Sequence, residues 1–226
     1  MAIVKTMTNT RSKRGPYARS LMRRLSIADA VLEIVDELGY EGVTTALVAE
    51  RSGSNEATVL YHFPTKDHLL LAGLARLDDL TAERSGFGAD ADVEDHDIDP
   101  GALDELLHNV EFPLIVNAGP RDRLVSYVRG LAMTPGHPAA AYFAQRDARA
   151  VAIFTRILEA RQKAGLVHPA LEPPDVATQF IALWQGLGEL SGVDSTIDAN
   201  RLLERGFRML TGQEIMEAQR RMLELP

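Results

Sequence analysis

No cysteine occurs among the 226 residues, which excludes disulfides, zinc-thiolate centres and thiol nucleophiles and is compatible with a reducing compartment. Long apolar runs are missing as well. No stretch approaches the ~18 consecutive apolar residues of a membrane span, and the first residues lack the apolar core of a signal peptide. A cytoplasmic protein without a membrane partner is expected. The six histidines, His62, His68, His96, His108, His137 and His168, are scattered without metal-ligand spacing. There is no glycine-rich phosphate loop and no Ser, His and Asp set in a strand-turn-helix setting. These absences argue against an enzyme, and no cofactor or metal is expected. What is present is an ordinary globular composition, 46% hydrophobic and 25% charged, which suits a folded chain rather than a disordered one. The length fits a small domain followed by a larger one.

The formal net charge of −8 conceals a strong asymmetry. Residues 1–24 carry Lys5, Arg11, Lys13, Arg14, Arg19, Arg23 and Arg24 and no acid, a local charge of +7. Through residue 66 the balance is still +2, so residues 67–226 hold −10. A basic end of this kind either is a solvated tail or meets an anionic polymer, and its position beside a helix-turn-helix pattern favours the polymer.

Residues 1–19 are polar and basic, and Gly15-Pro16 reads as a breaker, so a disordered arm is predicted there. A first helix is expected from about Leu21 to Leu38, because Ile27, Ala30, Val31, Ile34 and Val35 recur at three- and four-residue intervals and form one apolar stripe. Gly39 ends it. Thr44 can cap a second helix with Val48 and Ala49 on its core side, stopped by Ser52-Gly53. Asn55 can cap a third helix over about Glu56 to Phe63, which ends at Pro64 for want of a backbone N–H. A long helix is predicted from Asp67 to about Ser85. The acid-rich stretch 86–100 reads as a loop. Its spacing of acids resembles a calcium loop superficially, without the central glycine or the distal bidentate Glu such a loop needs. Further helices are predicted at 102–110, 113–118, 121–133, 138–164, 173–192 and 196–211, with a short tail helix to about Leu223. The fold class is therefore all-α with nine to eleven helices. A basic arm at 1–19 precedes a helix-turn-helix domain at 20–66 and a larger helical domain at 67–226.

Two short helices joined by a tight glycine turn form a helix-turn-helix by spacing alone. In that motif the second helix lies in the DNA major groove. The stretch 27–69, IADAVLEIVDELGYEGVTTALVAERSGSNEATVLYHFPTKDHL, resembles the N-terminal domain of the tetracycline-repressor (TetR) family of transcription regulators. The resemblance rests on Ile27, Ala30, Gly39-Tyr40, Thr44, Val48-Ala49, Gly53, Thr58-Val59, His62-Phe63, Lys66 and Leu69, and it covers about a fifth of the chain. A looser similarity continues at Pro135-Gly136-His137-Pro138 and Tyr142-Phe143.

The resemblance implies that Glu56, Ala57 and Thr58 read bases, and that Thr44 and Lys66 hold phosphates. Elementary chemistry agrees: Glu can accept from cytosine N4, Ala or a Thr methyl can pack on a thymine methyl, and Lys supplies charge to a phosphate. The full expected DNA-binding set is Arg23, Thr44, Thr45, Asn55, Glu56, Ala57, Thr58, Tyr61, His62 and Lys66. The chain departs from the family at Ser54 and Asn55, where Val and Ser are common, and at Leu60, where a backbone-touching Tyr is usual. Tyr61 either takes over that contact or is a half-exposed aromatic at a helix end. His62 either touches a phosphate or packs under the helix. Val59 and Phe63 belong to the core.

The resemblance further implies that the acidic remainder binds a small-molecule effector and forms a homodimer, so that the chain would be a ligand-responsive repressor released from a pseudo-palindromic operator. Ala182, Gly186 and Gly188 would allow a close helix-helix approach at a two-fold, four-helix interface. Tyr127, Met133, Phe143, Phe154, Phe180 and Trp184 are candidate pocket residues, with His108 and Gln145 as polar anchors. Each of them also suits a core. Such a lining would fit an apolar or amphipathic molecule. Two alternatives stay open: a helical small-molecule-binding or adaptor protein that no longer binds DNA, and an enzyme.

Overall fold

The computed structural model describes residues 16–85 and 119–224. Among them there are nine α-helices and no strand: α1 Pro16–Leu38, α2 Thr45–Arg51, α3 Glu56–His62, α4 Lys66–Ser85, α5 Pro120–Ala132, α6 Pro138–Lys163, α7 Pro173–Val193, α8 Ala199–Leu210 and α9 Gln213–Leu223. A single 3-10 turn, Tyr40–Gly42, separates α1 from α2. The all-helical expectation holds. The expected arm at 1–15, the acidic loop at 86–100 and the helices at 102–110 and 113–118 lie outside the described residues.

One boundary differs from the expectation. Residues 16–19, expected in the disordered arm, form the first turn of α1, which starts five residues before the expected Leu21. Proline breaks a helix interior but suits the first helical position, where its missing N–H has no partner to lose and its fixed φ is already helical. The Gly15-Pro16 pair therefore marks a helix start. Proline opens α5, α6 and α7 in the same way.

The apolar stripe of α1 is buried: Ile27, Val31, Ile34 and Val35 have no exposed surface. They meet Val48 and Ala49 of α2, Val59 of α3, Phe63 just after it, and Leu69, Leu70 and Leu74 of α4. Each such aliphatic side chain contributes about 1.5–3 kcal/mol by leaving water. The same cluster continues through Leu124 and Val128 of α5 to Ala139 and Phe143 of α6. A second cluster takes Phe154, Ile157 and Leu158 from the later turns of α6 and joins them to Val176, Ala177, Phe180 and Ile181 of α7 and to Leu203 and Phe207 of α8. Helix α6, 26 residues long, thus belongs to both clusters.

Polar contacts tie the helices around these cores. Arg121 of α5 forms a bidentate pair with Asp36 of α1, both bonds 2.7 Å. Arg76 of α4 reaches Asp29 of α1 at 2.7 Å. Asp78 of α4 accepts from the Tyr142 hydroxyl and from Arg146, both on α6. Arg129 of α5 pairs with Asp147 of α6, whose Oδ1 also accepts from Gln185 of α7 at 3.1 Å. Burial works against the Asp147 carboxylate, but Arg129, Arg146 and Gln185 outweigh it and hold its pKa below the ordinary value.

The crossing of α1 and α4 is close because of Gly73. A Cβ there would stand 2.7 Å from Cγ1 of Val31, in the middle of the first core. Gly73→Val should therefore force the helices apart and lower stability by about 1–3 kcal/mol, the usual cost of overpacking. Gly130, near the end of α5, has nothing within 4 Å of a built Cβ. Gly130→Ala should raise stability by up to about 1 kcal/mol through helix propensity. Thermal melts of the two variants should move in opposite directions, and a Gly73→Val variant melting with the parent would contradict the account of the crossing.

Candidate nucleic-acid interface

The segment from Thr44 to Lys66 folds by local rules. Thr44 has extended backbone angles, and its Oγ1 accepts from the Leu47 N–H at 3.2 Å, which starts α2. Ser52 closes α2, and Gly53 follows at φ +61°, a left-handed conformation that non-glycine residues adopt only at a cost. Asn55 then caps α3, its Oδ1 accepting from the Thr58 N–H at 2.7 Å. Phe63 ends α3 in an extended conformation before Pro64. Thr65, whose role is not among the expectations from sequence, caps α4 by accepting from the His68 N–H at 3.3 Å. A helix of seven residues is marginal by itself. Here α3 is held at both ends, and Val59 and Phe63 are inserted into the first core.

That anchoring decides which side chains of α3 face out. With Val59 pointing inward, Ala57 and Tyr61 lie on the opposite side, Glu56 and Leu60 on one flank, and Thr58 and His62 on the other. Tyr61 is 83% exposed and Leu60 45%. Glu56 and Ala57 are exposed too, while Thr58 and His62 are half-buried against α1. Of the expected base-reading residues, Glu56 and Ala57 are thus accessible at the first turn of α3, and Thr58 is partly covered. Thr44 and Asn55 are exposed and Thr45 is half-buried.

Helix α3 carries no lysine or arginine, so any cation at this face comes from its neighbours. Lys66 Nζ donates to the carbonyl oxygen of Glu41 at 2.8 Å. Arg23 Nη1 donates to Ser54 Oγ at 3.1 Å and approaches the Gly53 carbonyl at 3.5 Å. Arg24, absent from the expected set, lies over the Phe63 ring, 4.8 Å from its centroid. Each acceptor is neutral, so the side chain is ordered while its charge is retained. Arg51 differs: a bidentate pair with Glu37, at 2.9 and 2.7 Å, cancels its charge. Sequence separation hides these partners, which lie 25 to 31 residues apart for Lys66 and Arg23.

His62 lies in the groove between the start of α1 and α3, beside Arg19, Arg23 and Thr58. Burial, then the charges of Arg24 and Arg23, lower its pKa from the ordinary 6.5. Both effects favour the neutral imidazole.

Four of the candidate effector residues are divided between the two cores. Phe143 fills the first, stacked under Arg129 at 4.2 Å. Tyr127 of α5 stacks on Tyr40, with centroids 4.4 Å apart. Phe154, Phe180 and Trp184 meet in the second, together with Phe207, which is not among the residues expected from sequence. Met133, 84% exposed, and Gln145 face outward. His108 lies outside the described residues.

The architecture is that of an all-helical protein with an N-terminal helix-turn-helix. Residues 27–72 match the family of bacterial regulatory proteins described as the tetR family. The HTH-type transcriptional repressor KstR of Rhodococcus jostii is 44% identical over 54 residues, 24% of this chain and 26% of KstR. The chain thus spans about a quarter of the length of that curated relative. The fold likeness extends much further. A TetR transcription regulator from Haloarcula marismortui superposes with a TM-score of 0.62 at 20% identity, over 85% of this chain and 98% of that one. The regulator FadR of Bacillus subtilis, solved with stearoyl-CoA, does so with a TM-score of 0.56 at 17% identity, over 83% and 97%.

The depressed His62 pKa has a definite sign. The folded state favours the neutral ring, so this stabilisation is complete above the unfolded value of 6.5 and is lost as pH falls through the lower folded pKa. An NMR titration should place the His62 midpoint below 6.5, and Arg24→Ala should raise it. A midpoint unmoved by removing Arg24 would contradict the electrostatic part of this account. Separately, Asn55→Ala should cost about 1 kcal/mol of stability through the lost cap, read from denaturant unfolding.

Proposed function

We propose that the chain is a sequence-specific DNA-binding transcription regulator, a repressor that dimerises on a pseudo-palindromic operator and is released by a small apolar or amphipathic molecule. The observation that carries this reading is the outward face of α3, accessible over two turns and flanked by cations held on neutral acceptors. In this reading residues 20–66 dock on DNA, and residues 67–226 bind the effector and the second copy. No catalytic role is assigned. A cytoplasmic location suits the reading, and among the described residues no helix is long and apolar enough to cross a membrane.

On DNA, Glu56 accepts from a cytosine N4, while Ala57 and the Thr58 methyl meet thymine methyls in the major groove. Lys66 and Arg23 meet phosphates. The Thr44 hydroxyl, whose oxygen already accepts from Leu47, keeps its proton to donate. The Asn55 amide nitrogen and the exposed Tyr61 hydroxyl are the remaining backbone contacts. His62, neutral and half-buried, supports the helix more than it binds phosphate.

Dimerisation is supported by two exposed stripes of small and apolar residues. Ala141, Ala148 and Ala152 share one face of α6, and Ala182, Gly186, Leu190 and Val193 share one face of α7. Two such helices from each copy would make a four-helix interface. The aromatic group of Phe154, Phe180 and Trp184 supports an amphipathic effector, as does the long acyl chain bound by the fold-related FadR.

The test is binding to DNA taken from upstream of the chain's own gene, over a potassium chloride series. Affinity should fall steeply with salt as neutralised phosphates release counterions. Glu56→Gln should change base preference in operator selection, whereas Lys66→Ala should weaken all sequences alike. Gly186→Glu, at a position with nothing within 4 Å of a built Cβ, should yield a folded monomer in sedimentation with weaker operator binding. A wild type without salt-dependent DNA binding would leave the adaptor reading instead.

A further inference from the structure

Resting on the regulator reading, we infer that Ser54 and Arg23 form a preorganised phosphate clamp at the lip of the recognition helix, and that Ser54 acts on DNA through Arg23. Three observations support it. First, α3 itself supplies no cation: its seven residues, EATVLYH, include one carboxylate and a histidine held neutral. A polyanion bound along this face depends on side chains delivered from elsewhere. Second, Arg23 is delivered and fixed. Its Nη1 donates to Ser54 Oγ at 3.1 Å and points at the Gly53 carbonyl, while the guanidinium's other donors stay unused among the described contacts. No carboxylate pairs with it among the described residues, in contrast to Arg51, which Glu37 neutralises. Third, Arg23 lines the same groove as Arg19, Thr58 and His62. Its charge, with that of Arg24, is close enough to His62 to lower the imidazole pKa. The groove therefore combines two arginines with hydroxyl donors beside the base-reading face.

The division of labour comes from the physics of a long side chain. An exposed arginine samples many rotamers, and freezing it on a phosphate costs entropy that weakens binding. A hydroxyl acceptor at position 54 removes much of that cost beforehand without cancelling charge, which a carboxylate would do. An aliphatic side chain at 54 would leave Arg23 only the longer approach to the Gly53 carbonyl. Ser54 is thus a positioning residue, and Arg23 makes the contact. Leu60, exposed on the opposite flank, has no donor to offer a phosphate.

The test uses the full chain and a 30-base-pair duplex of its upstream DNA, with affinity measured by anisotropy across a potassium chloride series. Arg23→Ala should reduce the slope of log K against log salt by about 0.9, one phosphate contact. Ser54→Ala should keep the wild-type slope, because the charge remains, and weaken binding by about three- to tenfold, the cost of ordering one long side chain. The double variant should bind no more weakly than Arg23→Ala alone. Arg23→Lys should keep the slope and become insensitive to Ser54→Ala. Circular dichroism of each variant separates lost binding from lost fold. Wild-type binding with an unchanged slope in Arg23→Ala, or additive losses from the two sites, would overturn the clamp alone. Absence of salt-dependent binding by the wild type would overturn the regulator reading and the clamp with it.

Discussion

The insertion of Val59 and Phe63 into the first core is the contact on which the rest of the structure depends. Helix α3 has two turns and cannot hold its shape in water by propensity. What holds it is a cluster that includes α1, α2, α4, α5 and the start of α6. The orientation of the outward face, with Glu56, Ala57 and Tyr61 accessible and His62 tucked against α1, is therefore a property of the whole first layer. The glycine turn and the Asn55 cap specify where α3 begins, and the apolar pair specifies which way it faces.

This dependence has a mechanical consequence. Helix α6 contributes Phe143 to the first core and Phe154 to the second, so it is the element through which a displacement of its later turns would reach the residues beneath α3. Well-packed interiors resist continuous deformation and pass a shift from neighbour to neighbour. The polar ties reinforce the same route. Asp78 links α4 to Tyr142 and Arg146, and Arg121 clamps α5 to α1 through Asp36. An effector bound among Phe154, Phe180 and Trp184 would thus act on the first layer through α6, and Gly73 makes α4 follow α1 because no side chain cushions their crossing.

How much of this was legible in the sequence depends on the range of the forces involved. Caps are local, so Thr44 and Asn55 could be identified from neighbouring residues, and the apolar period of α1 predicted its buried stripe. The start of α1 is not legible locally, because proline has opposite effects inside a helix and at its first position. Partners such as Ser54 for Arg23 and the Glu41 carbonyl for Lys66 lie 25 or more residues away and depend on how helices cross. The aromatic residues posed a similar difficulty. Nothing in their local sequence separates Tyr127, which stacks on Tyr40, from Phe154, which packs on Phe180, or marks Phe207, which completes that group.

Charge, finally, explains how an acidic chain can present a face to an anionic polymer. Residues 67–226 carry −10, and at long range they repel DNA. At physiological salt the Debye length is about 8 Å, so an acid weighs heavily against a bound polyanion only within about that range. Close to the face, what counts is whether each cation keeps its charge. The Arg51 charge is offset by the Glu37 carboxylate bonded to it, whereas Arg23 and Lys66 are held by a hydroxyl and a carbonyl, which offset nothing. Neutral acceptors at those two positions leave the cationic charge beside α3 without a carboxylate partner among the described residues.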